Sequence, residues 1–281
     1  MKRKVVILTG AELRHVFFRK AIALQTDLQV VSSYCEGIEG TVRGKFSDSE
    51  AVNDIICKTH LDARERSEKD FFCTFVALTP DFSNPVHISR KQINEPEIIE
   101  AICDKDPDLL ISYGCSLVRG QLLNEFSGRF INVHLGLSPY YRGSGTNFWP
   151  LVNNEPEYVG ATFMHIDAGV DTGEIIHQIR ARIWKDDTPH QIGNRLIADM
   201  TGMFIDIIRN FDKLEKVDSP EFHVKDRVYK ANDFNSQAVT TLYNNFSSGM
   251  IEQYLNEYDA RCRRVPISEN PIFSSGGIDV I

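Results

Sequence analysis

Leu109-Leu110-Ile111-Ser112-Tyr113-Gly114 and, shortly after it, Phe130-Ile131-Asn132-Val133-His134 decide the fold. The first is a continuous apolar run with no polar alternation, as in a strand covered on both faces. The segment between them, Leu117 to Phe126, reads as a helix. Strand, helix, strand is the unit of a parallel sheet with a crossover packed on its face. The same order recurs upstream. Val5 to Leu8 ends at Thr9-Gly10 and precedes Leu13, Val16, Phe17, Ala21 and Leu24 at helical spacing. Leu28 to Tyr34 reads as a second strand, followed by a loop over 36–40. From about Ser49 to Phe72 the pattern is helical and heavily charged, a solvated helix face. Phe72 to Ala77 reads as a short strand, Asp81 to Pro85 as a loop, and Glu97 to Cys103 as a helix.

Downstream, Gly160 to Ile166 and Glu174 to Arg180 read as two strands joined by the turn Asp167–Gly173. Thr188-Pro189 is a helix start, with Thr at the N-cap and Pro at the first position. That helix runs to about Phe211. The expected fold class is therefore α/β, a doubly wound and mostly parallel sheet over 1–211. Residues 212–281 read as a small, partly helical C-terminal extension. It contains one amphipathic helix, Thr240–Tyr258, and a loose tail from Ser274 to Gly277. The helix stripe suits either a homodimer contact or closure of the core.

The totals agree with one large domain, or one domain and an appendage. The chain has 281 residues, 42% of them hydrophobic. Its formal charge is −8, which argues against nucleic acid as the main partner. The six cysteines show no paired spacing and read as reduced, buried thiols. The apolar run at the N-terminus is too short for a signal peptide, and no stretch approaches the ~20 apolar residues of a membrane helix. The expectation is a cytoplasmic protein without membrane contact.

Asn132 and His134 alternate on a strand and so point to one side. Ligands of a doubly wound sheet sit beyond the carboxyl ends of its strands, and Tyr113-Gly114-Cys115 and Asn132-Val133-His134 are two such ends. Asp171, on the Gly-bracketed turn, is expected to join them where two strand ends meet at one rim. An amide N–H can stabilise an oxyanion, an imidazole can move a proton, and a carboxylate can hold the imidazole or a water. The three suit acyl transfer from a carrier to an amine, with no Ser or Cys nucleophile and no metal. Taken alone, the pattern also fits a capped strand and a hydrogen-bonded histidine. Arg14 and His15, after the Gly10 turn, are expected on an exposed first helical turn. His165 is expected to pack or to hydrogen-bond.

Asn132-Val133-His134, then Leu137-Ser138-Pro139-Tyr140-Tyr141-Arg142-Gly143, Phe148-Trp149-Pro150 and Gly160 through Ile176 together resemble the folate-dependent formyltransferase family. The resemblance is strong over about Asn132–Gln178, weaker over 1–211 and faint beyond. It implies a Rossmann-like formyltransferase fold with 10-formyltetrahydrofolate as donor and a primary amine as acceptor. Asn132, His134 and Asp171 would then be catalytic. The pterin would lie between Tyr113, Gly114, Cys115, Ser116, Leu117 and Val118 on one side and Asp167, Gly169 and Val170 on the other. Tyr140, Tyr141, Arg142 and Gly143 would meet the acceptor.

Two features depart from the family. The residues after His134 are Leu135-Gly136-Leu137-Ser138-Pro139 where the family often has Pro-Ser-Leu-Leu-Pro, and one extra residue lies between Asn153 and Gly160. Both fall on the acceptor side. Within the family, the size, the acidic charge and the stretch Tyr229–Phe234 favour a nucleotide-linked aminosugar. Methionyl-tRNA, another small amine and hydrolysis of the donor are the alternatives, and an idle scaffold is a reading of another class.

Overall fold

The structure is a computed structural model that describes residues 2–39, 54–217 and 227–274. Seven strands form one sheet: β1 (Arg3–Gly10), β2 (Leu28–Glu36), β3 (Pro85–Ile88), β4 (Leu109–Tyr113), β5 (Phe130–His134), β7 (Gly160–His165) and β8 (Ile175–Arg180). Their order is β3-β2-β1-β4-β5-β7-β8. The first five are parallel, and β7 and β8 continue the sheet antiparallel. The mostly parallel, doubly wound sheet is thus observed.

The apolar runs follow from burial on both faces. Val5, Ile7, Leu109 and Ile111 pack on one side with α1 (Leu13–Ala23), α2 (Ile55–Leu78) and α6 (Pro189–Arg209). Val6, Leu8 and Leu110 pack on the other with α3 (Pro96–Cys103) and α4 (Gln121–Glu125). Thr188 caps α6 by accepting from the Gln191 N–H at 3.2 Å, with Pro189 at the first position.

Several elements differ from the sequence reading. Phe72 to Ala77 is helix, the last third of α2, because Phe72 and Phe75 stack against Phe17 of α1 at 4.5 and 5.1 Å. The start of that expected helix, 49–53, lies outside the described residues. The expected loop over Asp81–Pro85 runs at its last residue into strand β3, for which the sequence carries no signal; it is an exposed edge strand held by backbone pairing with β2. Leu117–Phe126 is helical only over α4. Asn94 holds the preceding stretch as a loop, through its side-chain bonds to Leu117 O and Arg119 N.

The expected helix over 240–258 is broken. It comprises α7 (Ser236–Ser247) and α8 (Met250–Asn256), separated by Gly249 in the left-handed region at φ 83°, with α9 (Tyr258–Arg264) following. Leu242, Ile251 and Tyr254 of its stripe are buried in the main core. A short α5 (Trp149–Val152) and a terminal α10 (Pro271–Ser274) complete the α-helices among the described residues. The expected tail beyond Ser274 lies outside them. Finally, β6 (Tyr141–Gly143) pairs in parallel with β9 (Arg227–Tyr229) as a separate two-stranded ribbon. That ribbon fastens the C-terminal part to the loop after β5. No helix among the described residues is long and apolar enough to cross a membrane.

Candidate active site

Strands β2 and β4 flank β1 on opposite sides, so the chain order reverses there. A cavity of about 550 Å³ opens beyond the carboxyl ends of β1, β4 and β5, where such sheets bind ligands. Its floor carries Asn132 and His134. The Ser112 hydroxyl donates to Asn132 Oδ1 at 2.8 Å, which fixes the amide orientation. The Asn132 Nδ2 donor has no partner among the described residues.

His134 is buried. Its Nδ1 lies 3.3 Å from Asp171 Oδ2 and its Nε2 lies 3.0 Å from the Tyr141 carbonyl oxygen. Both ring nitrogens therefore face acceptors. The neutral ring donates to one of them and the protonated ring to both. The same Asp171 oxygen accepts the Gly143 N–H at 2.9 Å, so the carboxylate is anchored by the β6–β9 ribbon. Gly143 is required there. Its φ is 91°, and a Cβ would stand 2.2 Å from the Tyr229 carbonyl oxygen.

Asp171 does not arrive by the expected meeting of strand ends. Strand β7 runs antiparallel to β5, so its last residue, His165, pairs with Ile131 rather than His134. Three residues of strand, about 10 Å, separate those levels. The loop Asp167–Gly173 folds back across that distance. Asp167 Oδ1 ties the loop by accepting from the Gly169 N–H and the Thr172 hydroxyl at 2.9 and 2.8 Å.

The facing wall is the segment Tyr113–Val118. Glu36, buried at the end of β2, accepts the Ser116 N–H at 2.5 Å, the Ser116 hydroxyl at 2.6 Å and the Lys91 N–H at 2.8 Å. His15 braces the turn from behind. Its ring meets Tyr113 edge-on at 4.8 Å, and its Nδ1 accepts the Glu12 N–H at 3.2 Å. Gly114, at φ 70°, leaves room for that ring.

Of the residues expected at the site, Tyr113, Gly114, Cys115, Ser116, Leu117 and Val118 line the cavity, as do Asn132, His134 and Gly143. Asp167, Gly169, Val170 and Asp171 complete the set. Tyr140, Tyr141 and Arg142 do not line it. The Tyr140 hydroxyl donates to Pro266 O, and the Tyr141 hydroxyl is held by Glu155 and Arg227 behind the ribbon. Those two tyrosines are packing residues, buried because their loop turns inward to form β6. His165 lines the cavity with its Nδ1 buried and unpartnered, and burial holds its pKa down.

The expected exposure of Arg14 and His15 is not found. Both are tucked into the cavity wall, because Arg14 pairs with Glu12 and, at 2.6 Å, with Glu68. Burial works against the Glu12 charge, but Arg14, Arg64 and His15 outweigh it and lower its pKa to about 2. Arg64, also at the cavity, has its pKa pushed down first by the like charge of Arg14 and then by burial. His60, His190, Lys230 and Phe234 lie on the same surface. No local motif marks these residues; only the packing of α2, α6 and the C-terminal segment brings them together.

The class defined by fold and site is a doubly wound α/β protein with an amide, an imidazole and a carboxylate gathered at its switch-point cavity. The model of the formyl transferase family matches residues 19–208, and the chain belongs to that family. Over 168 residues it is 25% identical to a methionyl-tRNA formyltransferase of Finegoldia magna, covering 57% of this chain and 53% of that one. Over 129 residues it is 31% identical to a GDP-perosamine N-formyltransferase of Brucella melitensis, covering 46% and 49%. The chain spans about half the length of these curated relatives. Among solved structures, a phosphoribosylglycinamide formyltransferase from Anaplasma phagocytophilum shares the fold, with a TM-score of 0.53 at 14% identity, over 82% of this chain and 99% of that one.

Proposed function

We propose that the chain transfers a formyl group from 10-formyltetrahydrofolate to a primary amine, and that the amine belongs to a nucleotide-linked aminosugar. The observation that carries the reading is the placement of Asn132, His134 and Asp171 on one cavity surface, between the two segments expected to hold the pterin. The lining also suits a polar heterocycle. The Asn132 amide and the His60 and His190 rings present polar groups to the same cavity, beside its apolar lining.

The donor supplies an electrophilic formyl carbon on a nitrogen that leaves. The acceptor amine bonds to that carbon, the bond to the carrier nitrogen breaks, and one proton passes from the amine to the carrier nitrogen. Asn132 Nδ2–H is the free donor for the oxygen that gains charge. His134 takes and returns the proton, and Asp171, held by the Gly143 N–H, stabilises the imidazolium formed in between. The acceptor class is supported by the chain's net charge of −8, which suits a small molecule better than a polynucleotide.

The test is tetrahydrofolate release from 10-formyltetrahydrofolate in the presence of a panel of nucleotide-linked aminosugars, with methionyl-tRNA and an amine-free sample as separate arms. Release that depends on an aminosugar supports the proposal. Full release without amine makes the chain a hydrolase, and release only with the tRNA replaces the acceptor. No release in any arm, together with no tetrahydrofolate binding by calorimetry, overturns the reading.

A further inference from the structure

One wall of the cavity takes no part in the chemistry above. It is built by elements far apart in sequence: His60 on α2, Phe148 before α5, His190 in the first turn of α6, and Phe234 in the C-terminal part. The rings touch. The His60 centroid lies 4.7 Å from that of His190, 5.4 Å from Phe148 and 5.8 Å from Phe234. Tyr243 of α7 links the two imidazoles, its hydroxyl 3.2 Å from His60 Nδ1 and 3.4 Å from His190 Nε2.

A hydroxyl has one proton to donate. It gives that proton to one of these nitrogens and accepts from the N–H of the other. Both rings are neutral near pH 7. Burial, then His190 and Arg64, lowers the pKa of His60 to about 3; burial, then Arg64, lowers that of His190 to about 4. A neutral imidazole has one N–H and one acceptor nitrogen. If the proton goes to His60 Nδ1, then His60 Nε2 is a donor and His190 Nδ1 an acceptor; the opposite arrangement exchanges them. These two outer nitrogens have no partner among the described residues and are not shut off from solvent. The wall therefore offers one donor and one acceptor, set among aromatic faces. Arg64 lies one helical turn beyond His60, on the same face of α2. Arg14 pairs with Glu12 and Glu68, and Arg64 Nε lies 3.6 Å from the same Glu68; the like charge of Arg14 and burial still push the Arg64 pKa down, so the two guanidiniums share their carboxylates and a further anion is favoured there.

We propose that His60, His190, Phe148 and Phe234, linked through Tyr243, form the acceptor's heterocycle subsite, which takes a nucleobase edge with an N–H beside a C=O, and that Arg64 receives the phosphates attached to it. The proposal rests on the formyl-transfer reading and assigns the part of the acceptor remote from the reacting amine.

Calorimetry on the full chain with UDP, dTDP and GDP tests it, with inorganic pyrophosphate as the ringless control and tetrahydrofolate titrated separately. At least one nucleotide is expected to bind about tenfold tighter than pyrophosphate, the scale of one base–aromatic stack. Phe234→Ala should remove about that factor. Tyr243→Phe keeps the ring, removes the link between the imidazoles, and should weaken the nucleotide about fivefold. Tetrahydrofolate affinity should be unchanged in both, which also shows that they fold. Nucleotides binding no tighter than pyrophosphate, or both variants keeping wild-type nucleotide affinity, would overturn the subsite. Absent tetrahydrofolate binding in the unaltered chain would instead sink the formyl-transfer reading.

Discussion

Replacing Asp171 with asparagine isolates the charge behind His134. Asp171 has φ 52°, in the left-handed region, which asparagine also tolerates. The side-chain oxygen can still accept the Gly143 N–H, so the loop keeps its anchor. What is lost is a carboxylate charge 3.3 Å from His134 Nδ1, a pair worth about 5 kcal/mol at an effective dielectric constant of about 20. The side chains of His134 and Asp171 are only 7% and 15% exposed, so water screens the pair little. The amide that replaces the carboxylate keeps a dipole of the right sense, and about half of the interaction should survive. The remaining loss of about 2–3 kcal/mol falls on the protonated form of His134, so turnover should drop about 30- to 150-fold. The assay is tetrahydrofolate release with the amine that supports turnover in the acceptor panel, alongside calorimetric titration of tetrahydrofolate. The expected result is a fall in kcat with donor affinity held within about twofold. A kcat within threefold of the wild type, or a loss that appears equally in tetrahydrofolate affinity, would refute a proton path through this pair.

Three further outcomes follow from the walls of the cavity. Glu36→Gln replaces an acceptor oxygen with an NH₂ group facing Ser116 or Lys91 donors, a mismatch of about 1–3 kcal/mol; tetrahydrofolate affinity should fall about tenfold with kcat little changed, and unaltered affinity would show that Glu36 does not hold the loop. Gly143→Ala sets a methyl against the Tyr229 carbonyl oxygen at an unfavourable φ, a strain of about 1–3 kcal/mol. Its melting temperature should fall by about 3–8 °C, and an unchanged value would refute the close approach in the ribbon. Glu12 has a folded pKa of about 2 against an ordinary 4.5, so its contribution is present above pH 4.5 and disappears as the pH falls toward 2. The gap in urea stability between wild type and Glu12→Gln should therefore be about 3 kcal/mol at pH 6 and shrink steadily below pH 4.5. A gap independent of pH would assign the difference to packing.

What the sequence discloses here is set by the range of the interaction that makes each element. Strands β4 and β5 are legible to the residue, because burial on both faces writes itself into every position. Strand β3 leaves no such trace: it opens on Pro85, is exposed over three of its four residues, and exists only because β2 offers an edge. Phe72 to Ala77 fails in the other direction, since its aromatic residues suit a strand and only the stack on Phe17 shows why they belong to a helix. The candidate site divides along the same line. Asn132 and His134 share a strand, so their common direction is local geometry. The fold-back that brings Asp171 to them depends on β7 being antiparallel, which no spacing records.

The acceptor wall is further still from the sequence. His60 and Arg64 read as part of a charged, solvated face, and on an isolated helix they would be one. The docking of α2 against α1 and α6, and of α7 against α2, turns that face into a cavity wall. Tyr140 and Tyr141 show the converse. Their position after His134 makes them look like acceptor contacts, yet pairing of β6 with β9 rotates their rings into packing and leaves only the Gly143 backbone at the cavity. Residues contributed by the scaffold's own strands can thus be named from spacing, whereas those of the proposed acceptor wall come from surfaces formed between helices. Acceptor choice in this chain is therefore expected to follow substitutions on α2, α6 and the C-terminal segment, while the Asn132–His134 strand stays the same.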